Sequence, residues 1–230
     1  GLAEYGYDPF GRRVWKRVNG RVTRYLWAGV TLASEVRDAG PGWTRRDHLF
    51  IPGIFYPIAM RLDGRIVRLH CDQRGAPHLA TGEQGEVLWK ARLKAFGEAL
   101  VDAGQMDQPW RLPGQYCDEE SGLHYNLARH YDPRLGRFLS QDPLFDPVNR
   151  GNPYLYAGGD PYGKVDPTGE IAPLLAAALI GAAAGAGVAG GDGVGRVRGG
   201  GAIVRRCAGA GLGQDAQVPQ LVENGLTTRA

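Results

Sequence analysis

Two aspartates that precede prolines are the residues whose type and spacing are best suited to chemistry. Asp142 lies in the run QDPLF, and Asp166 lies in VDPTGE, 24 residues further along the chain. Two carboxylates held close together cannot both ionise readily, so they share a proton; one can then activate water while the other protonates a leaving group. Aspartate before proline also initiates turns, and four more aspartates precede proline here: Asp8, Asp132, Asp146 and Asp160. The pair therefore has two interpretations, an acid–base pair and two turns.

The remaining histidines, cysteines and serines follow none of the spacings that metal or nucleophile sites require. Five histidines show no HxH or HExxH pattern: His48, His70, His78, His124 and His130. Three cysteines lie far apart without a CxxC: Cys71, Cys117 and Cys207. We therefore predict no metal site and no disulfide framework, and we expect buried free thiols. The run GAGVAG at 185–190 fits GxGxxG, but no clear strand precedes it and no carboxylate follows at the right distance, so we predict no cofactor.

Turn-forming residues divide the chain around the two aspartates into short segments. Between residues 111 and 143, Pro-Gly, Ser-Gly and Asp-Pro pairs recur at short intervals, and such pairs reverse the chain. The run LHYNLARHY at 123–131 alternates in period two and contains aromatic residues, which predicts a half-buried strand. We expect hairpins here, with helix as the alternative.

The N-terminal part has the same organisation. The runs RRVWKRV and RVTRYLW flank Asn19-Gly20, and Asn-Gly between alternating runs is a strong hairpin signal. Further glycine pairs divide residues 60–100 into strands of about five to seven residues, and residues 101–110 read as a polar connector. These patterns predict a mainly β protein built of antiparallel hairpins, and a hairpin repeat that cannot bury its apolar face alone must stack on its neighbours.

Three runs occur in order in the second half of the chain: PGQY, ESGLHYNLARHYDPRLGRFLSQDP and YLYAGGDPYGKVDPTG. They resemble the Rhs repeat-associated core, which is the C-terminal closing module of Rhs and YD-repeat proteins. The resemblance extends over residues 1–170, because the tyrosine–aspartate and Gly-Arg pattern near the N-terminus resembles a YD repeat. It implies YD-repeat hairpins at 1–110 that form a curled sheet, as part of an Rhs shell, and a loop-rich core module at 111–170. An Ala/Gly-rich apolar segment, helical or disordered, follows at 171–191, and a disordered or truncated variable tail at 192–230.

The resemblance also implies a function. Such shells enclose or present a variable C-terminal segment, often a toxin used in contact-dependent or type VI-linked competition between bacteria. The implied partners are the remainder of the parent chain, a toxin cargo with its immunity protein, and a secretion-system component. The parent would be secreted or held at the cell surface. This chain begins without Met or a signal peptide, in what resembles the middle of a repeat, so we expect a fragment of a longer protein.

Some members of the family cleave themselves, and in them the two Asp-Pro motifs resemble an aspartic-protease dyad. Carried over to this sequence, the resemblance makes Asp142 and Asp166 the catalytic pair, with Arg137 as an electrostatic partner. The cut in those members falls just beyond the second motif, which corresponds here to the bond between Glu170 and Ile171.

Two positions depart from the pattern of the self-cleaving members. Phe145 stands where they have glycine, and Glu170 stands where they usually have a large apolar residue. Self-cleavage and a purely turn-forming role of the aspartates both stay open at this point.

Charge and composition bear on three other functions: nucleic-acid binding, carbohydrate binding and membrane contact. The net charge is +3 and the arginines are scattered between strands, which argues against nucleic-acid binding and predicts a solvated face. A carbohydrate-binding adhesin that uses aromatic residues such as Trp15 and Trp27 is a further hypothesis, against the commoner role of aromatics in a sheet core. Residues 171–191 carry no charge and are long enough to span a bilayer, but alanine and glycine favour insertion weakly. Membrane contact, an Ala/Gly linker and a buried hairpin are the alternatives there.

Overall fold

The computed structural model describes residues 2–144 and 151–170, together with the backbone of Leu174–Leu175. Within these residues the strands form one ten-stranded, one four-stranded and one two-stranded sheet, all antiparallel. The ten-stranded sheet comprises β1 (Ala3–Tyr7), β2 (Arg13–Val18), β3 (Arg21–Ala28), β4 (Thr31–Asp38), β5 (Trp43–Phe50), β6 (Pro57–Leu62), β7 (Arg65–Cys71), β8 (Pro77–Thr81), β9 (Val87–Leu93) and β10 (Ala99–Gly104). The other two comprise β11 (Tyr116–Asp118), β12 (Leu123–Asn126), β13 (Arg129–Asp132) and β14 (Arg137–Phe138), then β15 (Lys164–Val165) and β16 (Leu174–Leu175).

The mainly β prediction is confirmed. In the described part of the chain, helical structure is limited to a 3₁₀ turn at Ala157–Gly159, and it contains no helix that is long and apolar enough to cross a membrane. Residues 171–191, for which membrane contact was considered, lie outside the described residues except for β16, and the tail at 192–230 lies wholly outside them.

Consecutive strands of the ten-stranded sheet are also neighbours in space, so this sheet is a chain of hairpins. Two turns lie where the sequence predicts them. Asn19 and Gly20 have φ values of 50° and 84°, and Asp63 and Gly64 have φ values of 46° and 87°. Positive φ at both central residues defines the tight turn whose twist matches the two strands, and Asn-Gly and Asp-Gly adopt it readily.

Two segments differ from the sequence predictions. The strand β10 extends to Gly104 and pairs with β9, so part of the expected connector at 101–110 belongs to the sheet. The run LHYNLARHY is not a single strand, because the chain reverses at Leu127 and Ala128 between β12 and β13. Leu127 has a φ of 49°, and the Ala128 N–H donates a hydrogen bond to Thr168 O at 3.1 Å.

The reversal at Leu127 decides which residues share a face of the four-stranded sheet. A single strand would place Tyr125 and Tyr131 on one face. In the hairpin, Tyr125 lies opposite His130 and Tyr131 lies opposite His124, so the two tyrosines point to opposite faces. Leucine seldom adopts positive φ, and neither central residue of the turn, Leu127 or Ala128, is a glycine or an asparagine, which is why the sequence pattern did not reveal it.

The four-stranded sheet packs between two apolar clusters. On one side, Tyr116 and Tyr125 join the covered face of the ten-stranded sheet, which we define by its buried residues Tyr25, Leu32, Met60, Val67, Leu69, Ala80, Trp89 and Ala91. On the other side, Tyr131 and Phe138 pack with buried residues from the flanking loops: Ala76, Leu112, Tyr156 and Ala157. Both faces of this short sheet are therefore buried.

Charged side chains are also buried between the two large sheets. Arg13 is 1% exposed, and its Nη1 lies 2.6 Å from Asp118 Oδ2 in β11. Glu35 is 0% exposed; it contacts Arg46 at 3.1 Å and accepts a hydrogen bond from the Tyr116 hydroxyl at 2.6 Å. The prediction that the arginines lie on a solvated face is therefore wrong for Arg13 and Arg46, because carboxylates inside the protein compensate their charges.

Candidate functional site

Asp142 and Asp166 meet at the guanidinium of Arg129. Arg129 Nη2 lies 2.8 Å from Asp142 Oδ2 and 3.1 Å from Asp166 Oδ2. Arg129 belongs to β13, while Asp142 follows β14 and Asp166 follows β15. The three side chains are each at most 4% exposed. The structure therefore brings both aspartates of the sequence motifs into one buried cluster, which we call the Arg129 cluster.

Further contacts fix the orientation of Arg129. Its Nε donates a hydrogen bond to Gly169 O at 2.5 Å, and its Nη1 donates one to Pro153 O at 3.0 Å. The guanidinium carbon lies 3.5 Å from the centroid of the Phe138 ring, where a cation–π attraction is expected. Burial lowers the pKa of the Arg129 guanidinium, and the neighbouring carboxylates counteract this effect.

Both aspartates also hold the turns that follow them. Asp142 Oδ1 accepts a hydrogen bond from the Leu144 N–H at 2.9 Å. Asp166 Oδ1 accepts one from the Gly169 N–H at 2.8 Å. In each residue the second oxygen, Oδ2, is the one that contacts Arg129. The turn-forming interaction and the paired-carboxylate arrangement are therefore present together and use different oxygens.

Two glycines of the recognised motifs allow close backbone packing beside the Arg129 cluster. Gly169 has a φ of 72°, and a Cβ there would lie 2.7 Å from Asn126 O. Gly114, in the PGQY run, has a φ of 81°, and a Cβ there would overlap the carbonyl oxygen of Pro167. Only glycine satisfies both the positive φ and the lack of space. The PGQY and DPTG runs therefore pack directly against each other.

The cation of the cluster is Arg129 and not Arg137. Arg137 is exposed in β14, whereas its neighbour Phe138 is buried, because successive side chains of a strand point to opposite faces. The sequence pattern did not indicate Arg129, since an arginine in an alternating strand usually lies on a solvated face. The available signal was its spacing of two residues from Tyr131, which puts both side chains on one face of the strand; in the structure both are buried.

The expected cleavage position lies beside a surface groove. Glu170 is exposed and contributes to a groove of about 300 Å³ that is lined by Phe10, Gly11, Arg12, Gly29, Val30, Leu127, Ala128 and Thr168. Ile171 and Phe145, the other two residues singled out around the motifs, lie outside the described residues.

Several aromatic residues of the sheets are occupied by packing, while Trp15 and Trp27, considered for sugar binding, are half-buried. Tyr25, Tyr125 and Tyr131 are at most 5% exposed, so they cannot stack on a ligand. The Trp27 indole N–H donates a hydrogen bond to Arg13 O at 2.8 Å. Two of the cysteines, Cys71 and Cys117, are half-buried free thiols, and Cys207 lies outside the described residues.

The sequence of the chain is similar to a family of repeat shells and to proteins named as toxins. The family model described as teneurin YD-shell matches residues 2–158. "Double-stranded DNA deaminase toxin A" of Burkholderia cenocepacia is 36% identical over 198 residues, which cover 69% of this chain and 14% of the relative. "Toxin protein Tse5" of Pseudomonas aeruginosa is 41% identical over 96 residues, which cover 41% of this chain and 7% of the relative.

A solved structure shows the same fold. The structure of the Tc holotoxin pore of Photorhabdus luminescens matches with a TM-score of 0.60 and 20% sequence identity, over 75% of this chain and 9% of that one. At this identity the likeness concerns the fold alone. In each of these comparisons the chain corresponds to a small part of a much longer polypeptide.

Proposed function

The chain belongs to the teneurin YD-shell family, and we propose that it closes a shell that encloses or presents a variable C-terminal segment in competition between bacteria. The observation that carries this proposal is the attachment of the four-stranded sheet to the covered face. Arg13 of β2 pairs with Asp118 of β11, and the Tyr116 hydroxyl donates to Glu35 of β4. These buried contacts hold the segment that precedes residue 170 against the wall formed by the hairpins.

The relatives support the cargo in this proposal. Two of them are named as toxins, and this chain spans 14% and 7% of their lengths. We accordingly include in the proposal a toxin cargo with its immunity protein, a secretion-system component and a secreted or cell-surface location for the parent polypeptide.

Protease protection of the C-terminal segment tests the shell proposal, with the full natural polypeptide that carries this chain. Trypsin should spare the arginines beyond residue 170, which are Arg196, Arg198, Arg205, Arg206 and Arg229. Asp118→Asn, which breaks the buried pair with Arg13, should expose them to rapid cleavage. Asp102→Asn is the matched control, because it breaks the solvent-exposed pair with Arg92. Equal cleavage in all three proteins would contradict the proposal.

Self-cleavage between Glu170 and Ile171 is a second candidate function, and the Arg129 cluster favours it. One carboxylate would leave Arg129 and take up a proton. The other would remove a proton from water as the water oxygen attacks the Glu170 carbonyl carbon. The carbon–nitrogen bond then breaks, and the protonated carboxyl gives its proton to the Ile171 nitrogen. The products are a carboxylate at Glu170 and a free amine at Ile171.

Intact mass spectrometry of the purified chain tests this second function. The unmodified chain should yield fragments 1–170 and 171–230, and both Asp142→Asn and Asp166→Asn should remain whole. Asp160→Asn is the matched control, since Asp160 also precedes proline and holds a turn by accepting from the Gly163 N–H at 2.8 Å. If the unmodified chain stays intact, the aspartates serve only as turns and ion-pair partners.

A further inference from the structure

His48 is a buried histidine between the two large sheets that neither proposed function uses. Its side chain is 0% exposed. Its Nδ1 accepts a hydrogen bond from the Trp110 Nε1–H at 3.0 Å, and its Nε2 lies 3.5 Å from Glu35 Oε1. An indole N–H can only donate, so Nδ1 must be unprotonated. The ring is therefore neutral and carries its proton on Nε2, facing Glu35.

Protonation of His48 is incompatible with the contact to Trp110. A charged imidazole carries a proton on both nitrogens, and the new N–H on Nδ1 would point at the indole N–H. Two donors would then face each other in a buried site, where an unmade hydrogen bond is costly. Trp110 pairs through its backbone with Tyr116 at the start of the four-stranded sheet. Loss of the Trp110 hydrogen bond therefore weakens the attachment of the four-stranded sheet at its first strand.

The charged and titratable groups around His48 lie on its own strand β5 and on the segments that pack against it. They are Glu35 and Arg37 in β4, Arg46 in β5, Asp107 in the connector and Tyr116 in β11. Burial, with smaller effects of Arg46 and Arg37, lowers the pKa of His48 despite the proximity of Glu35. Burial disfavours the charged forms of Glu35 and Asp107, but the proximity of His48 to Glu35 and the charges of Arg37 and Arg46 outweigh it and lower the pKa of both carboxyls.

We propose that His48 and Trp110 form an acid-sensitive latch. Protonation of His48 at Nδ1 releases Trp110 and detaches residues 105–118 from the covered face, while the hairpins of the ten-stranded sheet persist. Acid pH is thus the condition under which residues 105–118 separate from the ten-stranded sheet. The latch depends on neither a cargo nor self-cleavage.

The direction of the pH dependence follows from the lowered pKa of His48. The released form takes up a proton near the usual pKa of about 6.5, whereas the closed form does so at lower pH. The latch is therefore fully closed above about pH 6.5, and the ratio of closed to open forms falls by up to about tenfold for each pH unit below it. Glu35 and Asp107 act in the same direction in more acidic solution. Glu119 opposes them, because the Asp107 charge raises its pKa.

The indole N–H signal of Trp110 in nitrogen-15 NMR spectra of the whole chain tests the latch, with Trp110→Phe for assignment. Between pH 6.5 and 4.5 the signal should lose its hydrogen-bonded shift, while the signal of the exposed Trp43 in the ten-stranded sheet stays unchanged. His48→Gln keeps an acceptor for Trp110 but does not titrate, so the signal should persist in this variant. His78→Gln, a change at an exposed histidine, should behave like the unmodified chain.

Three outcomes would overturn the latch: a Trp110 signal that persists to pH 4.5 in the unmodified chain, an identical loss in His48→Gln, or simultaneous loss of all indole signals. The imidazole nitrogens of His48 in the unmodified chain provide a second measurement that does not need a variant to fold. They should show the proton on Nε2 at pH 7 and the uptake of a second proton at the pH where Trp110 changes. Titration of His48 without a change at Trp110 would also refute the proposal.

Discussion

At the scale of single residues, Arg129 connects parts of the chain that lie far apart in sequence. It binds Asp142, Pro153, Asp166 and Gly169. A buried guanidinium persists only where its charge and its N–H groups are compensated. The two Asp-Pro motifs are therefore required to meet at this side chain whether or not they carry out chemistry. Self-cleavage would use an arrangement that the fold already needs.

Replacement of this cation should be strongly destabilising. Arg129→Met leaves two buried carboxylates without compensation and should lower the free energy of unfolding by about 3–5 kcal/mol at neutral pH. Urea unfolding at pH 7 measures this loss. Arg134→Met, at an exposed partner of Asp132, should leave stability nearly unchanged; an equal loss in both variants would refute this role of Arg129.

Gly114 provides a test of the close packing between the PGQY and DPTG runs. Gly114→Ala and Gly122→Ala both place a side chain at positive φ, 81° and 70° respectively, but only Gly114 faces another backbone, and nothing lies within 4 Å of a Cβ at Gly122. Both variants should lose about 1–2 kcal/mol from the positive φ. Gly114→Ala should lose a further 1–3 kcal/mol or so from the overlap with Pro167. Thermal unfolding of the two proteins gives the difference, and equal losses would contradict the packing.

At the scale of elements, the attachment of the four-stranded sheet depends on buried charge as well as on apolar contact. Arg13 lies within 5.4 Å of the ring centroids of Tyr5, Tyr25, Tyr116 and Tyr125, which belong to four different strands. It also pairs with Asp118, whose other oxygen lies 3.1 Å from Lys16 Nζ. This arrangement fixes which strand of the four-stranded sheet faces which hairpin of the ten-stranded sheet.

A double-mutant cycle measures this attachment. Asp118→Asn should cost about 3–5 kcal/mol, since it leaves the buried Arg13 unpaired. Arg13→Met should cost less, since Lys16 still contacts Asp118. The double variant should recover about 1–3 kcal/mol relative to the sum of the single losses. The same cycle at Arg92 and Asp102, a pair that is 74% and 37% exposed, should give a coupling energy close to zero. Equal coupling energies in the two cycles would show that burial does not strengthen the pair of Arg13 and Asp118.

Local turn signals in the sequence predicted hairpins, whereas contacts between residues far apart in the chain determine the reversal at Leu127. Asn19-Gly20 and Asp63-Gly64 predicted their hairpins, because these residue types accept the φ values that the turns require. The reversal at Leu127 had no such signal, since it depends on Thr168 in a distant loop. The boundaries proposed for the closing module, at residues 110 and 170, stay a prediction.

The candidate site was predicted only in part for a related reason. The two Asp-Pro motifs were visible in the sequence, whereas the cation between them was not. Arg13 and Arg129 lie in short strands among other arginines and aromatic residues, and their carboxylate partners lie 105 and 37 positions away. The position of Tyr131 two residues beyond Arg129 hints at a shared face, but nothing local in the sequence identifies the distant carboxylates.

At the scale of the whole molecule, the ten-stranded sheet ends in two strands, β1 and β10, that each pair on one side only within the described part of the chain. An unpaired strand edge offers backbone groups to a further strand. A repeat wall that continues before β1 would use this edge. The chain matches 14% and 7% of the lengths of the two toxin relatives.

Electron cryomicroscopy of the full natural polypeptide tests the central claim most directly. We expect β1 to pair with a preceding strand of the same chain, residues 116–138 to pack on the covered face, and the chain beyond residue 170 to continue on the enclosed side of the wall. A map in which β1 ends the sheet, or in which the chain beyond residue 170 runs outside the wall, would contradict the account.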